Sequence, residues 1–514
     1  MKKIGILLIL GACFTSALSQ SKQIRNYAGW HKLCGENLRG ANTEAARIYM
    51  GERWFGNKKN IVVGVIDSGI DTTLESVRPA LWSNSKEKPD GKDNDGNGYV
   101  DDLHGWNFLG TADGTFNMTS AGTQEFREFK RLYPKYKHVN AEEMANNAEY
   151  QYYLAMRKAA SINGYLKAYA FAQQKAMARH AIDSTVQAMP GIDADTMSVT
   201  NVMRLDVNEP RWESWVSAQI ADIVRSGGSM SWAKFKQRQQ AALQLMQNRI
   251  ASIERDIDKR TLMGDNMNDA SDIHYGNNTL TVDGCEHGTF VAGIIAGQTP
   301  DDKRYEGICP EAKIMTIRIC PDGDEYDKDV STAIRYAVDN GAKVINMSFG
   351  KYTSPQADMV NDAIAYAARH DALIVQAAGN NHKDIDRTNY FPTAVDKQGR
   401  RFDNYIRVGA TDMHGRASKM SNYGARNVDI FAPGEYIASV FPGNKKDLSQ
   451  GTSLAAPVVA GVAAMIRSYF PRLTATEVKH ILMESASRMD EQGLSVCNGI
   501  VDALAAVKMA RQYK

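Results

Sequence analysis

"GTSLAAPVVAG", residues 451–461, sets a hydroxyl ahead of a run of small apolar residues at helical spacing. Ser and Thr favour helix starts, so the run predicts a buried helix opening near Ser453. Pro457 sits inside it, where a proline removes a backbone donor and ordinarily breaks a helix. Prolines are tolerated in a first turn, whose N–H groups have no intrahelical partner, and Pro457 is therefore read as marking the early turn. The free N–H groups and positive dipole end would face an anion, with the Ser453 hydroxyl beside them. Ser453 alone reads as readily as a cap as it does a nucleophile.

Outward from that helix, apolar runs alternate with amphipathic helices. Strands are predicted at 60–67 ("NIVVGVID"), 313–319, 343–349, 372–378, 405–410 and 428–432, and helices at 329–341 and 355–370. This alternation predicts an α/β fold, a parallel sheet wrapped by helices. Catalytic groups in such sheets gather at the carboxyl ends of the strands. Asp67 ends the first strand, and His287 opens "HGTFVAGIIAG" (287–297), a small-residue helix. An Asp at a strand tip can hold a His in one tautomer, and that His can take the proton of a Ser hydroxyl. Each of the three alone has an ordinary structural use, but their joint occurrence in this order points to nucleophilic catalysis.

The segments "VIDSGID" (65–71), "HGTFVAGIIAG" and "GTSLAAPVVAG" resemble the three signature segments of the subtilisin-like serine proteases, the subtilases. "NMSFG" (346–350) and "AAGN" (377–380) resemble that family's substrate strand and oxyanion segment. "DGNGYVDDLHGWNF" (95–108) and "YGNN" (275–278) are similar to secreted Bacteroidetes-type subtilases. The resemblance covers roughly residues 45–110 and 273–514. It implies a subtilisin-like fold and the catalytic set Asp67, His287 and Ser453, with Asn380 as oxyanion donor. In subtilisin, where it has been measured, losing that donor costs about 3–4 kcal/mol. It further implies that Ser348, Phe349 and Gly350 form an edge strand pairing with substrate backbone, with Ala378 and Gly379 alongside. Tyr390 falls near the family's pocket floor, where a bulky ring would favour a small substrate side chain; an ordinary packed Tyr is the other reading. Phe290 and Leu454 depart from the usual pattern without removing a catalytic group.

"DNDGNGYVDD" (93–102) places Asp93, Asp95, Asn97, the Tyr99 carbonyl and Asp101 at alternate positions, with Asp102 as a further carboxylate. Oxygen ligands at that spacing wrap Ca²⁺, although position twelve is His104 and so not the Glu of an EF-hand. Structural calcium is expected, a merely polar loop being the alternative. Between Asp67 and His287 lie far more residues than the family needs. The stretch 111–272, rich in Lys, Arg, Gln, Met and Ala, predicts an all-α insertion lobe; Trp232, Phe235, Met246, Ile250, Ile253 and Ile257 trace one apolar face. Restricting substrate, docking a protein partner and assisting folding are the roles open to it.

The 514 residues are 43% hydrophobic and 23% charged, with a net charge of +2, so neither nucleic acid nor an acidic membrane is expected as a partner. Lys2 and Lys3, an apolar run and "TSALSQ" predict a signal peptide over 1–19 and an exported, secreted or periplasmic protein. "LGAC" at 10–13 offers the alternative of a lipid anchor at Cys13 in the outer membrane. No later run is long and apolar enough to suggest a transmembrane segment. Residues 20–110 and 273–514 then form the catalytic domain. Cys34, Cys285, Cys309, Cys320 and Cys497 remain, an odd number that assigns no bridge, and Cys285 is either a thiol-sensitive neighbour of His287 or a small buried hydrophobe. The expected activity is a serine endopeptidase acting on extended polypeptide through an acyl-enzyme. The rival reading is a degenerate protease fold that binds or scaffolds through its helical insertion.

Overall fold

Strand β1 (Val62–Asp67) is apolar almost throughout, the composition of a strand covered on both faces. Val63 and Val65 face one core while Ile66 faces a second. The computed structural model describes residues 27–53, 58–254 and 259–513. The predicted leader, Cys13 and Ile257 lie outside the described residues. The remaining strands are β2 (Gly105–Asn107), β3 (Ser120–Gly122), β4 (Lys313–Arg318), β5 (Asp322–Gly323), β6 (Val344–Met347), β7 (Leu373–Ala377), β8 (Tyr405–Thr411), β9 (Ile430–Pro433), β10 (Ile437–Phe441), β11 (Lys445–Ser449), β12 (Ser487–Arg488) and β13 (Gly499–Ile500). Nine of them form one sheet in the order β12-β13-β9-β8-β7-β6-β1-β4-β2. Every pairing in it is parallel except β12 with β13.

The helices Glu286–Ala296 and Thr452–Tyr469 cover one face, supplying Val291, Ile295, Val458 and Val462 to the core shared with Val63 and Val65. Asp327–Asp339 and Ala357–Arg369 cover the other, with Val330, Ile334 and Ile364 packed beside Ile66. A sheet buried on both sides leaves its strand ends as the accessible backbone, and chemistry collects there. Register sets Asp67 opposite Arg318 on β4, one residue beyond the Ile66–Met347 pair on β6. Thr452–Tyr469 is long and apolar enough to cross a membrane, but it is the buried core helix of this sheet.

Pro457 corrects the sequence reading. The helix begins at Thr452, which places the proline in the second turn. The residue four positions earlier is Ser453, whose carbonyl would ordinarily accept the missing N–H. That carbonyl accepts the Ser348 hydroxyl at 2.6 Å. A donor from the end of a neighbouring strand thus replaces the one the proline lacks.

Contacts separate the helical residues from Glu125 to Glu254 as a second compact unit. Its two cores hold Ile182, Val202, Trp212, Trp232 and Phe235, and Phe129, Leu132, Tyr150 and Tyr153. Trp232 and Phe235 are fully buried, whereas Met246, Ile250 and Ile253 are half-buried.

Of the predicted 111–272, residues 111–124 and 259–272 group instead with the unit that holds the sheet. Ser120–Gly122 ladders with β5. On the other flank, Arg260 bonds Asp329 at 2.8 Å and Asp265 at 2.7 Å, and Lys328 bonds Asp265 at 2.9 Å. Arg260 and Asp265 thus join Lys328 and Asp329 in a buried charge network.

Candidate active site

Backbone and side chains stitch the end of β1 to the helix Glu286–Ala296. The His287 ring Nδ1 lies 2.7 Å from Asp67 Oδ1. Beside it, the Gly288 N–H donates to Ser68 Oγ at 3.2 Å, and the Asp71 N–H donates to Thr289 Oγ1 at 2.9 Å. A Cβ at Gly288 would come within 2.1 Å of the Gly69 carbonyl oxygen, so only glycine permits this approach. Arg318, which is 1% exposed, backs the turn by donating from Nε to the Ser68 carbonyl and from Nη1 to Asn107 Oδ1. A charged residue inside the apolar run "KIMTIRI" was the sequence signal for it.

Asp67 is 2% exposed, while the His287 side chain is 45% exposed, so the carboxylate is sealed and the imidazole is half exposed. Asp67 Oδ1 also accepts the Ser68 N–H at 2.7 Å. Burial works against a charged imidazole, but the Asp67 charge and hydrogen bond override it and raise the His287 pKa above its ordinary value. With its inner nitrogen on the carboxylate, the ring leaves Nε2 to serve as a base.

Ser453 lies in the first turn of its helix and is half-buried. A Cβ on Gly451 would stand 3.0 Å from Ser453 Oγ and 3.4 Å from Asn380 Nδ2, so both groups flank one point in front of the helix start. Asn380 is aimed by its other end. Its Oδ1 accepts the Thr452 N–H at 2.8 Å and the Thr452 hydroxyl at 2.9 Å, while Thr452 Oγ1 accepts the Gly379 N–H at 2.9 Å. The amide NH₂ is then the end turned toward Ser453. Thr452 is a positioning residue that sequence reasoning missed, although it stands beside Ser453 in the motif.

Ser348, Phe349 and Gly350 do not form the expected edge strand. They continue the central strand β6 beyond its last paired residue, Met347. Tyr390, 5% exposed, lies between this segment and the next. A Cβ at Gly350 would meet its ring at 2.6 Å, and one at Gly379 would meet it at 2.9 Å. Tyr352 packs edge-on to Tyr390 at 5.3 Å, and Asn422 joins Tyr352 to the Ala378 carbonyl. Tyr390 thus underlies both Ala378-Gly379 and Gly350. Phe290 packs on Phe441 at 4.7 Å. The Cys285 thiol is buried, and burial raises its pKa, which suppresses the thiolate. The five described cysteines are free thiols.

In the acidic loop, ligand oxygens of Glu87, Asp93 and Asp95 converge within 4.8 Å of one another. Asp93 is held below the usual carboxylate range, because desolvation, the largest single influence, is outweighed by the combined hydrogen bonds of the Gly98, Gly96 and Asn97 amides. Three carboxylates at such spacing repel unless a cation joins them, and an all-oxygen set suits Ca²⁺. Glu87 lies outside the alternating pattern, and its carboxylate accepts the Asn94, Asp95 and Asp101 N–H groups. Asp102 does not join the group. It is fully buried and bonded to Asn84, Asn97 and Tyr336, and burial, ahead of those bonds, raises its pKa. Asp101 turns its carboxylate to the Asp90 and Gly91 amides. The Asn97 Oδ1 accepts the Tyr99 N–H, and the Tyr99 ring packs edge-on to Trp106.

A parallel α/β sheet with an Asp–His pair at one strand tip and a Ser beside an Asn amide at a helix start carries the groups a serine hydrolase uses. A profile of the subtilase family matches residues 58–500, and the chain belongs to that family, the subtilisin-like serine endopeptidases. It is 34% identical over 222 residues to a thermophilic serine proteinase of Bacillus sp. (strain AK1), covering 43% of this chain and 52% of the relative, or about half its length. It is 31% identical over 229 residues to subtilisin BL of Lederbergia lenta, covering 44% of this chain and 80% of that one. Among solved structures, a cold-adapted subtilisin-like serine proteinase matches with 29% identity and a TM-score of 0.37, over 43% of this chain and 75% of the other.

Proposed function

We propose that this chain is an exported serine endopeptidase that cuts extended polypeptide through an acyl-enzyme. The observation that carries the reading is the 2.7 Å contact of a buried Asp67 with an accessible His287, with Ser453 and Asn380 flanking one point at a helix start. Ser453 Oγ attacks the scissile carbonyl carbon as its proton passes to His287 Nε2, and Asp67 stabilises the imidazolium through Nδ1. The oxyanion takes hydrogen bonds from Asn380 Nδ2 and the Ser453 N–H. When the C–N bond breaks, His287 returns the proton to the leaving amine, and water repeats the sequence to free Ser453.

Residues 348–350 present backbone to the substrate, with Ala378 and Gly379 opposite. Tyr390 beneath them favours a small side chain on the acyl side. Glu87, Asp93 and Asp95, with Asn97 Oδ1 and the Tyr99 carbonyl, would hold Ca²⁺, whose contribution is stability of the loop. The leader at 1–19 carries the export reading. A fluorophosphonate probe tests the chemistry: wild type should be labelled and should digest casein, and Ser453→Ala should do neither. Labelling that survives in Ser453→Ala, or a wild type inert in both assays, would overturn the assignment.

A further inference from the structure

The helical unit holds a cationic cavity that the proposed catalysis does not use. Its volume is about 290 Å³, and Lys175, Arg179, Arg225 and Arg238 line it together with a single acid, Asp222. Lys175 and Arg179 lie on the helix Ile162–Gln187, Asp222 and Arg225 on Trp212–Ser226, and Arg238 on Trp232–Glu254. Three helices of one unit therefore build it.

The Asp222 carboxylate is spent on two of the four cations. Its Oδ2 bonds Lys175 Nζ at 2.6 Å, and its Oδ1 bonds Arg225 Nη2 at 2.5 Å. Arg179 lies nearby but makes no hydrogen bond to it. Although only 7% exposed, Arg179 bonds a neutral acceptor, Gln219 Oε1, at 2.9 Å through Nη1. Gln219 is itself fully buried and anchored on the Lys175 carbonyl at 3.1 Å, so the guanidinium is held in place. Arg238 is exposed and has no hydrogen-bond or ion-pair partner among the described residues. An arginine only 7% exposed whose guanidinium bonds no carboxylate carries a desolvation cost, which an anion entering the cavity would offset. Consistent with that cost, burial pulls the Arg179 pKa down, against the raising charge of Asp222. The rest of the lining includes Ala172, Leu243 and Met246, an apolar floor beside the charges.

We propose that this cavity binds an organic anion, an oxyacid head with a short apolar body, the head received by Arg179 and Arg238. Guanidinium groups grip carboxylate and phosphate oxygens in pairs, and the volume exceeds what a bare ion fills. The proposal is independent of the catalytic reading, because none of these residues belongs to the proposed active site.

The test uses the full chain carrying Ser453→Ala, which removes self-digestion. Calorimetric titration with hexanoate and hexyl phosphate should give saturable binding with Kd about 1 mM or tighter. Hexanol and inorganic phosphate should bind at least tenfold more weakly, which shows that head and body are both read. The two ligands separate a carboxylate from a phosphate as the preferred head. Arg238→Ala lies on the surface and should keep the fold, with an unchanged thermal midpoint and at least tenfold weaker binding. Arg179→Met should abolish binding. The proposal falls if neither ligand binds at about 10 mM, if Arg238→Ala binds as tightly as its parent, or if inorganic phosphate matches hexyl phosphate, which would mean an adventitious ion only.

Discussion

Asn380 is directed by exhausting its acceptor: Thr452 supplies two donors to Oδ1, and the NH₂ is left to face Ser453. Asn380→Ala should lower kcat about 10²–10³-fold, near 3–4 kcal/mol, with little change in KM, because the bond strengthens as charge forms on the oxyanion. Thr452→Val should lower kcat by less and leave KM alone; equal effects on both constants would contradict a positioning role. The pH profile follows from His287. In the proposed mechanism the neutral imidazole is the base, and Asp67 raises the ring's pKa. Activity should therefore be lost as pH falls through that raised value, with the acid limb of kcat/KM above the ordinary 6.5. Asp67→Asn should move the limb downward and cut kcat about 10⁴-fold. A limb that stays in place in the variant would break the link between the two residues. Asp67, His287, Ser453 and Asn380 could be proposed from sequence because each stands at a predicted strand or helix end. Thr452, Arg318 and Glu87 could not, because their roles depend on neighbours distant in sequence or outside the motif spacing.

At the scale of elements, the start of the core helix depends on a strand that precedes it by about a hundred residues. Ser348 supplies the hydrogen bond that Pro457 withholds from the Ser453 carbonyl. Ser348→Ala should destabilise the Ser453→Ala protein by about 1–3 kcal/mol by leaving a carbonyl unpaired. Adding Pro457→Ala restores a helical N–H and should recover part of the loss. Urea denaturation of the double-mutant cycle reads this coupling, and strict additivity would show that the two residues act separately. The long apolar strands were legible as runs, within a few residues of their observed ends. The short strands β2, β5, β12 and β13 were not, since two or three residues carry no periodicity.

Across the whole molecule, buried charge joins the flank at 259–272 to the sheet domain. Arg260→Met would leave Asp329, 0% exposed, with only the Tyr275 hydroxyl and Asp265 with only Lys328, and should cost about 3–5 kcal/mol in denaturant titration. Chelation by EGTA should lower the thermal midpoint, by an amount equivalent to about 2.7 kcal/mol where calcium had stood at a hundredfold above its Kd. Glu87→Gln should blunt that response, and an unmoved midpoint in wild type would remove calcium from the account. The division between sequence and structure has one physical root. Local patterns determined the parallel sheet, the order of Asp, His and Ser, and the existence of a helical insertion, because apolar period and turn chemistry act over neighbouring residues. Only tertiary structure decided the limits of the insertion, the partner of the Ser453 carbonyl, the inward turn of Asp102 and the unmatched charge of Arg179, because burial and hydrogen-bond supply depend on residues that folding brings together.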